Sequence, residues 1–326
     1  MRTKAPGKAF RKGISLKQIM SMFPDNATAE RWFIAQRWPD GVCCPQCGSV
    51  NVQLWAKHPT MPFRCREKQC GKLFSAKTGT VMEGSKIGYQ DWVIATFQIM
   101  TSLKSVSSMK LHRDLGITQK SAWFLAQRLR AALSQESPRF AGPVEVDETH
   151  FGGRRRNMSN ARRKALADTG RGAVGKTTVV GAKDRVTKQV AATVVRATDR
   201  GTLQGFVADH AVPGATVYTD DATAYESLPF NHATVKHSLS EYVKGDVHTN
   251  GIESLWSMLK RAHKGTFHKL SPKHLDRYVQ EFVGRHNVRE QDTIEQMAAV
   301  TDGMEGKRLT YPCLIAANGL ASGARS

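Results

Sequence analysis

Apolar residues in the second half of the chain change from helical to strand-like spacing after a proline-containing linker at residues 137–143. Four segments rich in Val and Thr are predicted strands: 144–151, 177–185, 189–197 and 215–220. Three segments with helical spacing are predicted helices: 201–211, about 250–264 and 272–290. This order of elements predicts an α/β domain over residues 143–292, in which helices cover a mixed sheet.

The first half of the chain has helical spacing that is interrupted by a cysteine-rich segment. Two short amphipathic runs precede the cysteines, and helical spacing returns from Tyr89 to about Ser134. We predict helices plus a cysteine module over residues 15–80, and a second helical segment over 85–136. Two further segments are predicted to lie outside these domains: a basic N-terminal arm, 1–14, and a flexible tail rich in Gly, Ala and Ser, 302–326.

The helical segment 85–136 contains the pattern of a helix-turn-helix. A first helix is predicted to end near Leu115, the tripeptide "GIT" to form the turn, and a second helix to begin at Gln119. In this motif the first residues of the second helix meet base edges, and basic residues farther along reach phosphates. The residues predicted to meet base edges are Gln119, Lys120, Ser121 and Trp123, and those predicted to reach phosphates are Arg128 and Arg130. A plain helical hairpin is the alternative.

The charge balance favours nucleic acid as a partner. The chain has 48 Lys and Arg against 28 Asp and Glu, a formal net charge of +20, and such an excess fits an extended polyanion. A cationic surface without such a partner is the alternative. No segment approaches the roughly 20 apolar residues that span a bilayer, and no apolar stretch of a secretory signal follows the basic N-terminal residues. The expected location is a reducing cytoplasm.

Five of the six cysteines lie between Cys43 and Cys70, which favours a metal site over a disulfide framework. Cys44 and Cys47 are separated by two residues, and Cys65 and Cys70 by four. Four thiolates around a zinc ion form a closed structural site without an open catalytic position. We predict these four as the zinc ligands, with Cys43 as an alternative to Cys44 and incidental cysteines as the alternative to a metal site.

Residues 170–177, "GRGAVGKT", match the consensus of a nucleotide-binding phosphate loop, but their context does not. A phosphate loop needs a strand before it and a helix after it, whereas a strand-like segment follows here. We interpret the region before it as a mobile cationic connection between strands that would follow a DNA backbone. Its basic residues are Arg154, Arg155, Arg156, Arg162, Arg163 and Lys164.

Asp147 and Asp220 are singled out because they lie in predicted strands, where acidic residues are disfavoured. Asp147 lies within 144–151 and Asp220 ends 215–220, while Glu253 lies near the start of a predicted helix. Carboxylates from two strands and a covering helix can converge on Mg²⁺ or Mn²⁺, which keep phosphate oxygens of a substrate in their shell. Two such ions promote in-line attack on a phosphodiester. A turn role for Asp220 and a surface role for Asp147 are the alternatives.

The helix that contains Glu253 carries two further polar residues of interest. Asn250 followed by Glu253 resembles a capping box, but capping gives Lys260 no role. Because successive helical residues rotate by about 100°, Glu253 and Lys260 share one edge of the helix beside its apolar stripe. That edge would present a metal-binding carboxylate and a phosphate-binding ammonium to the site. For Asn250 three roles stay open: orienting a ligand, binding metal through its amide oxygen, or capping only.

Six motifs resemble those of bacterial insertion-sequence transposases of the ISXO2-like group: "RWPDGVCCPQCGS", "KTGTVMEGSKI", "VEVDETHFGG", "VYTDDATAY", "HTNGIESLWSMLKR" and "EFVGRHNVR". They extend over about residues 15–290. The resemblance implies an N-terminal zinc ribbon, an RNase H-like fold and DDE-type chemistry. It implies that the three acidic positions are Asp147, Asp220 and Glu253, accompanied by Asn250 and Lys260. The group usually has Gly where this chain has Asp221, so Asp221 stays an alternative to Asp220.

These features predict a DNA transposase that acts at the terminal inverted repeats of its own element. Hydrolysis would free a 3′-hydroxyl, which would then attack target DNA, and assembly on two element ends predicts at least a dimer. A non-catalytic regulator built from the zinc ribbon and the helix-turn-helix is one rival hypothesis. A structure-selective nuclease on the same fold is the other.

Overall fold

The computed structural model describes residues 12–134, 139–153, 158–165, 175–235 and 248–322. The chain divides into two compact units, each built from two segments. Unit 1 comprises Met1–Gln135 and Val288–Ala316, and unit 2 comprises Glu136–Asn287 and Ala317–Ser326. The chain therefore leaves unit 1, builds the main segment of unit 2, returns to unit 1 and ends in unit 2.

The elements of the first segment of unit 1 are α1 Leu16–Met22, α2 Asn26–Arg37, β1 Val52–Gln53, β2 Phe63–Cys65, β3 Leu73–Phe74, α3 Tyr89–Thr101, α4 Ser108–Leu115 and α5 Gln119–Leu133. Those of unit 2 are β4 Val144–Phe151, α6 Asn160–Ala165, β5 Thr177–Asp184, β6 Val190–Val195, α7 Arg200–His210, β7 Thr216–Asp220, β8 Asn231–Val235, α8 Asn250–Ala262 and α9 Pro272–Asn287. A 3₁₀ helix, Thr223–Tyr225, follows β7, and a π-helical turn, His263–Phe267, follows α8. The return segment of unit 1 contains α10 Thr293–Asp302 and α11 Tyr311–Ile315.

Local hydrogen bonds set the helix ends around the predicted turn. Gly116 ends α4 in the left-handed conformation, with φ +65°, which glycine adopts without a steric penalty. The Thr118 hydroxyl oxygen accepts from the backbone N–H of Ser121 at 3.2 Å and so caps α5. The two helices consequently end and begin at the residues that the sequence indicates.

One core joins the cysteine module to the helical segment, which the sequence divides at residues 80–85. Trp38 contacts the rings of Phe63 and Phe74 edge-on, at centroid distances of 5.8 and 5.9 Å. Large side chains from both parts and from α10 are buried together: Phe33, Phe63, Phe74, Trp92 and Met297. The module is too small to bury such side chains alone, so it shares the core of the helices.

The segment after residue 302 departs from the expected flexible tail, because residues up to 316 belong to unit 1. Met304 and Leu314 are buried. The Lys307 ammonium donates to two carbonyls in the last turn of α5, at 3.2 and 3.4 Å, where carbonyls lack helical partners. Its Gly, Ala and Ser content suggests flexibility, but a few well-placed apolar side chains and one lysine are enough to hold the segment.

Unit 2 contains a five-stranded sheet in the order β6-β5-β4-β7-β8. Strands β4, β5 and β6 are antiparallel neighbours, whereas β7 is parallel to β4 and β8 is parallel to β7. The predicted α/β class with a mixed sheet is confirmed. Strand β8 and the short helix α6 are elements that the sequence pattern did not predict.

Helices cover both faces of this sheet. Val179 and Val180 are successive residues of β5, so they point to opposite faces, and they join different cores. Val180 packs in the core that contains Leu203 of α7, and Val179 in the core that contains Leu255 of α8 and Phe282 of α9. The central strand β4 is covered on both sides too, since Val146 lies in the first of these cores and Phe151 in the second.

The phosphate-loop consensus ends where β5 begins, at Thr177. A nucleotide-binding loop requires a helix at this point, and the strand agrees with the rejection of that function. Residues 170–174 lie outside the described residues. Within the described part of the chain, no helix combines the length and apolar character needed to span a membrane.

Candidate acidic site and cysteine cluster

Three carboxylates meet where β4 and β7 lie side by side. Val144 faces Val217 in this parallel pair, so three residues farther along Asp147 lies level with Asp220. Glu148 follows in β4, and one carboxylate oxygen of each of the three residues lies within 4.8 Å of the others. The structure thus brings together two predicted acidic residues and adds Glu148. Asp221, the alternative to Asp220, is exposed and is not a member of this group.

Hydrogen bonds orient the two carboxylates of β4 from opposite faces of the sheet. The indole Nε1 of Trp256, in α8, donates to Oδ2 of Asp147 at 3.0 Å. The hydroxyl of the buried Tyr225 donates to Oε1 of Glu148. Successive strand residues point to opposite faces. Oxygens of both carboxylates nevertheless lie within 4.8 Å of an oxygen of Asp220, which ends the adjacent strand.

Burial and mutual repulsion raise the pKa values of these two carboxyls. Burial first, and then the charges of Asp220 and Glu253, raises the pKa of Asp147 to about 6. Burial raises the pKa of Glu148 to about 7 against the opposing effect of the hydrogen bond from Tyr225, and the two aspartates add to the rise. A cation placed between the carboxylates would relieve this repulsion. The oxygen donors of the group therefore fit a hard divalent ion such as Mg²⁺.

Glu253 lies in the first turn of α8, and its charge contributes to the raised pKa of Asp147. Among the described residues it is not part of the three-carboxylate group. The hydroxyl of Thr249 donates to Oε1 of Glu253 at 3.1 Å. The capping-box interpretation of Asn250 is wrong, because α8 begins at Asn250 and its N-cap is Thr249. Asn250 is exposed at the start of the helix.

Glu145 attaches the start of α8 to β4, two residues before Asp147 on the same face of the strand. Its Oε2 accepts from the backbone N–H of Ile252 at 3.0 Å, and its Oε1 accepts from Nε of Arg185 at 2.7 Å. A carboxylate at a helix N-terminus is favourable. Gly251 makes the approach possible, since a Cβ there would lie 2.5 Å from Oε2 of Glu145.

Gly181 of β5 gives Trp256 the space to reach Asp147. A Cβ at position 181 would lie 2.5 Å from Cη2 of Trp256 and 3.1 Å from Cδ1 of Ile252. The indole therefore lies directly on the backbone of β5, and its N–H points to the acidic group.

Lys260 is exposed in the last turn of α8. The pKa of His150, near the end of β4, is lowered by burial, then by the charge of Lys176 and then by that of Lys260. The ammonium of Lys260 therefore lies near enough to His150 for its charge to lower the pKa of that imidazole.

Four cysteine sulfurs form a compact group in unit 1. The Sγ atoms of Cys44 and Cys70 are 3.7 Å apart, those of Cys47 and Cys65 are 3.6 Å apart, and all four lie within 4.8 Å of one another. Sulfurs bound tetrahedrally at 2.3 Å from zinc are separated by about 3.8 Å, so the group fits that ion. Cys43 is not a member of the group.

The predicted base-reading residues lie in the first turn of α5, the part of that helix that solvent reaches. Gln119 is exposed and donates to Oγ of Ser108 at 3.0 Å, and the ammonium of Lys120 lies 4.4 Å from the ring centroid of Tyr311. Ser121 is half-buried, and no residue from Ala122 to Leu133 is exposed.

The structure contradicts a phosphate contact by Arg128. Its side chain is 7% exposed, and its guanidinium donates to the carbonyls of Leu309 and Glu83, both at 3.1 Å. Arg130 is buried as well. A helical pattern cannot show that the segments around residues 83 and 309 cover this face of α5, so two core arginines resembled surface ones.

Part of the predicted cationic connection is helical. Arg163 and Lys164 are exposed in α6, and Arg163 donates to Oδ1 of Asn160. Arg162 belongs to the same helix, but its side chain lies outside what the structure describes. Three further predicted contacts lie outside the described residues: Arg154, Arg155 and Arg156.

Sequence reasoning missed four residues that shape the acidic site: Glu145, Glu148, Tyr225 and Trp256. The first two had a signal, since they flank Asp147 in the same strand and acidic residues there need an explanation as much as Asp147 does. The two aromatic residues had none, because only the fold brings them to these carboxylates.

Comparisons with known proteins agree with one another on the family. Residues 139–287 match the family described as the ISXO2-like transposase domain. Over 266 residues the chain is 31% identical to "Uncharacterized protein in transposable element ISH50" of Halobacterium salinarum (strain ATCC 700922 / JCM 11081 / NRC-1), covering 77% of this chain and 87% of that protein.

Among solved structures, the cryoEM structure of the simian T-cell lymphotropic virus intasome in complex with PP2A regulatory subunit B56 gamma contains a chain that aligns at 15% identity. The alignment covers 52% of this chain and 62% of that chain, less than two thirds of its length, and its TM-score of 0.27 is too low to indicate a shared fold. Family match and sequence relative together are decisive: the chain belongs to the ISXO2-like transposases of insertion sequences.

Proposed function

We propose that the chain is a DNA transposase that cuts at the ends of its insertion sequence and joins the freed strand to target DNA. One observation carries the proposal: Asp147, Glu148 and Asp220 hold carboxylate oxygens within 4.8 Å of one another, where two parallel strands adjoin. Membership of a transposase family supports the same class of reaction.

For unit 2 we infer an RNase H-like fold with DDE-type chemistry. Three antiparallel strands followed by two parallel ones, with helices on both faces, support this inference. The first acidic position lies on the central strand, the second at the end of β7, and the third on α8. Strands and a helix hold the three carboxylates in fixed positions. Such fixed positions are required to place a phosphodiester for in-line attack.

The donor set of the acidic site would hold Mg²⁺ or Mn²⁺. Asp147 and Asp220 are the proposed central ligands, Glu253 approaches from α8, and Glu148 offers a further oxygen. Bound divalent ions supply activation of the attacking oxygen and stabilisation of the leaving oxygen in phosphodiester chemistry.

The remaining residues of the site would orient the carboxylates or bind the substrate. Trp256 holds the Asp147 carboxylate, and Glu145 keeps the start of α8 against β4, so that Glu253 stays beside the acidic group. Lys260 contributes a positive charge for a substrate phosphate. Asn250, exposed at the start of α8, orients or ligates from the same end of the helix.

The proposed reaction consists of two phosphoryl transfers. In the first, water adds to phosphorus as the 3′-oxygen leaves, and the proton that water loses balances the new 3′-hydroxyl. In the second, this hydroxyl attacks a phosphodiester of target DNA, and one P–O bond forms as another breaks. The number of phosphodiester bonds is unchanged in the second transfer, so it needs no nucleotide hydrolysis.

Unit 1 is the proposed binding module for the terminal repeats. Zinc held by Cys44, Cys47, Cys65 and Cys70 would make its cysteine module a zinc ribbon, and α4 and α5 would form a helix-turn-helix. The first turn of α5 would read bases through Gln119, Lys120 and Ser121. Arg163 of α6, with Arg154, Arg155, Arg156 and Arg162, would contact phosphates. We further propose that the active complex is at least a dimer and that it works in the cytoplasm.

The test is cleavage and strand joining by the full chain, with Mg²⁺ or Mn²⁺, on duplex DNA that carries the inverted repeats flanking the coding region. Asp147→Asn and Glu253→Gln are expected to lower cleavage at least about 100-fold, since each removes a charge that acts in the transition state. The matched control, Glu226→Gln, changes an exposed carboxylate that forms an ion pair with Arg200 at 3.6 Å and should retain activity.

Full activity in the Asp147→Asn protein would refute the site. Binding of the repeats without metal-dependent cleavage would favour the non-catalytic regulator, and cleavage without joined products would favour the structure-selective nuclease.

A further inference from the structure

The loop between β1 and β2 in unit 1 presents a tryptophan to solvent. Trp55 is 68% exposed, and its only contact with another ring among the described residues is with Phe63, at a centroid distance of 6.1 Å. Leu54 and Met61 of the same loop are exposed too. We call these three residues the ribbon tip. A group of exposed large apolar side chains often marks a site that binds another molecule.

The backbone holds Trp55 in a conformation that its side chain disfavours. Its φ is +57°, in the left-handed region that a bulky residue rarely adopts. The loop around it is nevertheless fixed: Nδ1 of His58 accepts from the backbone N–H groups of Thr60 and Met61 at 3.2 and 3.1 Å, and Ala56 N–H donates to the Pro62 carbonyl at 2.7 Å. Strain that the surroundings enforce in this way is typical of functional positions.

The surface around the ribbon tip is cationic. Between residues 42 and 74 the chain has five basic residues and one acidic residue, Glu67. Arg64 lies on the outer face of the small sheet, between Gln53 of β1 and Leu73 of β3. The basic residues are all exposed: Lys57, Arg64, Arg66, Lys68 and Lys72.

This combination fits DNA better than a protein partner. Protein interfaces are depleted in lysine around their apolar anchors, whereas DNA offers phosphates to the basic residues and, where its bases are unpaired, apolar base faces to an aromatic ring. We propose that Trp55 is an aromatic anchor for DNA, with its indole against the bases while Arg64 and its basic neighbours contact the phosphates. The inference rests on the proposed function, because it takes DNA as the substrate of this chain.

The experiment measures binding of the full chain to a fluorescein-labelled duplex of fixed sequence that ends in a single-stranded overhang, whose unpaired bases an indole can reach, by fluorescence anisotropy over a series of salt concentrations. Trp55→Asn is the decisive variant, because asparagine tolerates a positive φ, so zinc content and melting temperature should stay equal or rise. Its affinity should fall about 5- to 150-fold, the loss expected for one base–aromatic stack. Trp55→Phe should recover most of that loss.

Salt dependence separates the two kinds of contact. Trp55→Asn should leave unchanged the slope of the logarithm of the binding constant against the logarithm of the salt concentration. Arg64→Gln should reduce the magnitude of this slope by about 1. Leu103→Asn is the matched control, because Leu103 is an equally exposed apolar residue of unit 1 outside the ribbon tip, and it should bind like the wild type.

The outcomes distinguish this inference from the proposed function. Wild-type affinity in Trp55→Asn, beside normal binding and cleavage by the wild type, overturns the anchor alone. So does equal weakening by Trp55→Phe and Trp55→Asn, or a variant that loses self-association in sedimentation while it keeps DNA affinity. If the wild-type chain binds no duplex at all, both the anchor and the transposase proposal fail.

Discussion

Gly181 shows how far the acidic site depends on the absence of one methyl group. The indole of Trp256 occupies the place where a Cβ at position 181 would stand, and from there its N–H reaches Asp147. An aromatic ring packed against backbone cannot move aside as a flexible side chain can, so the position admits only glycine without rearrangement.

Gly181→Ala is therefore expected to move Trp256, to weaken its hydrogen bond to Asp147, and to destabilise unit 2 by about 1–3 kcal/mol. Thermal unfolding, monitored by circular dichroism, measures the loss of stability. The strand-cleavage assay measures the effect of the weakened hydrogen bond on the acidic site. Gly205→Ala in α7 is the control, because its Cβ would meet nothing within 4 Å, and alanine in an exposed helix stabilises by up to about 1 kcal/mol. Equal melting temperatures of the two variants would contradict the packing argument.

At the scale of residues, burial decided which predictions the structure supports. Asp147 and Asp220 could be singled out because a carboxylate in a strand is conspicuous in any sequence. Arg128 could not be read correctly, because a core arginine and a surface arginine occupy the same helical spacing until the segment that covers them is known. Glu148 was missed since strict alternation places it on the face opposite Asp147, and only the adjoining end of β7 brings the two together.

At the scale of elements, the cysteine module illustrates how little regular structure accompanies the cluster of four sulfurs. Its strands are two or three residues long, too short to be stable by pairing alone. The sulfur cluster supplies the missing constraint, and Phe63 and Phe74 attach the module to the helices. The spacing of the cysteines was visible in the sequence, whereas these very short strands are below what a pattern of alternation can detect.

Removal of the proposed zinc ion should unfold this module first, because binding of a structural zinc ion supplies folding free energy. A chelator, or Cys44→Ser, is expected to abolish bound zinc, to reduce the near-ultraviolet circular dichroism of the Trp38 cluster, and to expose residues 42–74 to proteolysis while unit 2 stays resistant. Cys43→Ser is the control and should retain zinc, since Cys43 is outside the sulfur group. Zinc loss of the same size in both variants would show that the ligand set is wrong.

At the scale of the whole molecule, the two units are interleaved along the chain. The core of unit 1 takes Met297, Val300 and Met304 from the return segment, although unit 2 intervenes in the sequence. Local patterns indicated the other helices but not α6, α10 or α11. They also did not indicate this assignment, because nothing in a periodic segment states which core it will join.

A fragment of residues 12–134 should therefore fail to fold cooperatively. The three missing side chains contribute roughly 5–9 kcal/mol by burial, comparable with the whole stability of an ordinary domain, about 5–15 kcal/mol. Thermal unfolding should show no cooperative transition for the fragment alone, and co-expression with residues 288–316 should restore one. A fragment that melts like unit 1 in the full chain would contradict this account.

The return of the chain to unit 1 also sets an order of events during protein synthesis. A ribosome has to make the main segment of unit 2, Glu136–Asn287, before it makes the residues that complete the core of unit 1. The first half of the chain therefore stays incomplete while that segment is synthesised. A coding sequence that is truncated within unit 2 would yield a protein without Val288–Ala316, so its unit 1 would be incomplete. Proteins made from truncated copies of the gene would thus compete poorly with the intact protein for its proposed DNA sites. The order of the segments along the chain would therefore limit how far mutated copies of the element inhibit an intact copy.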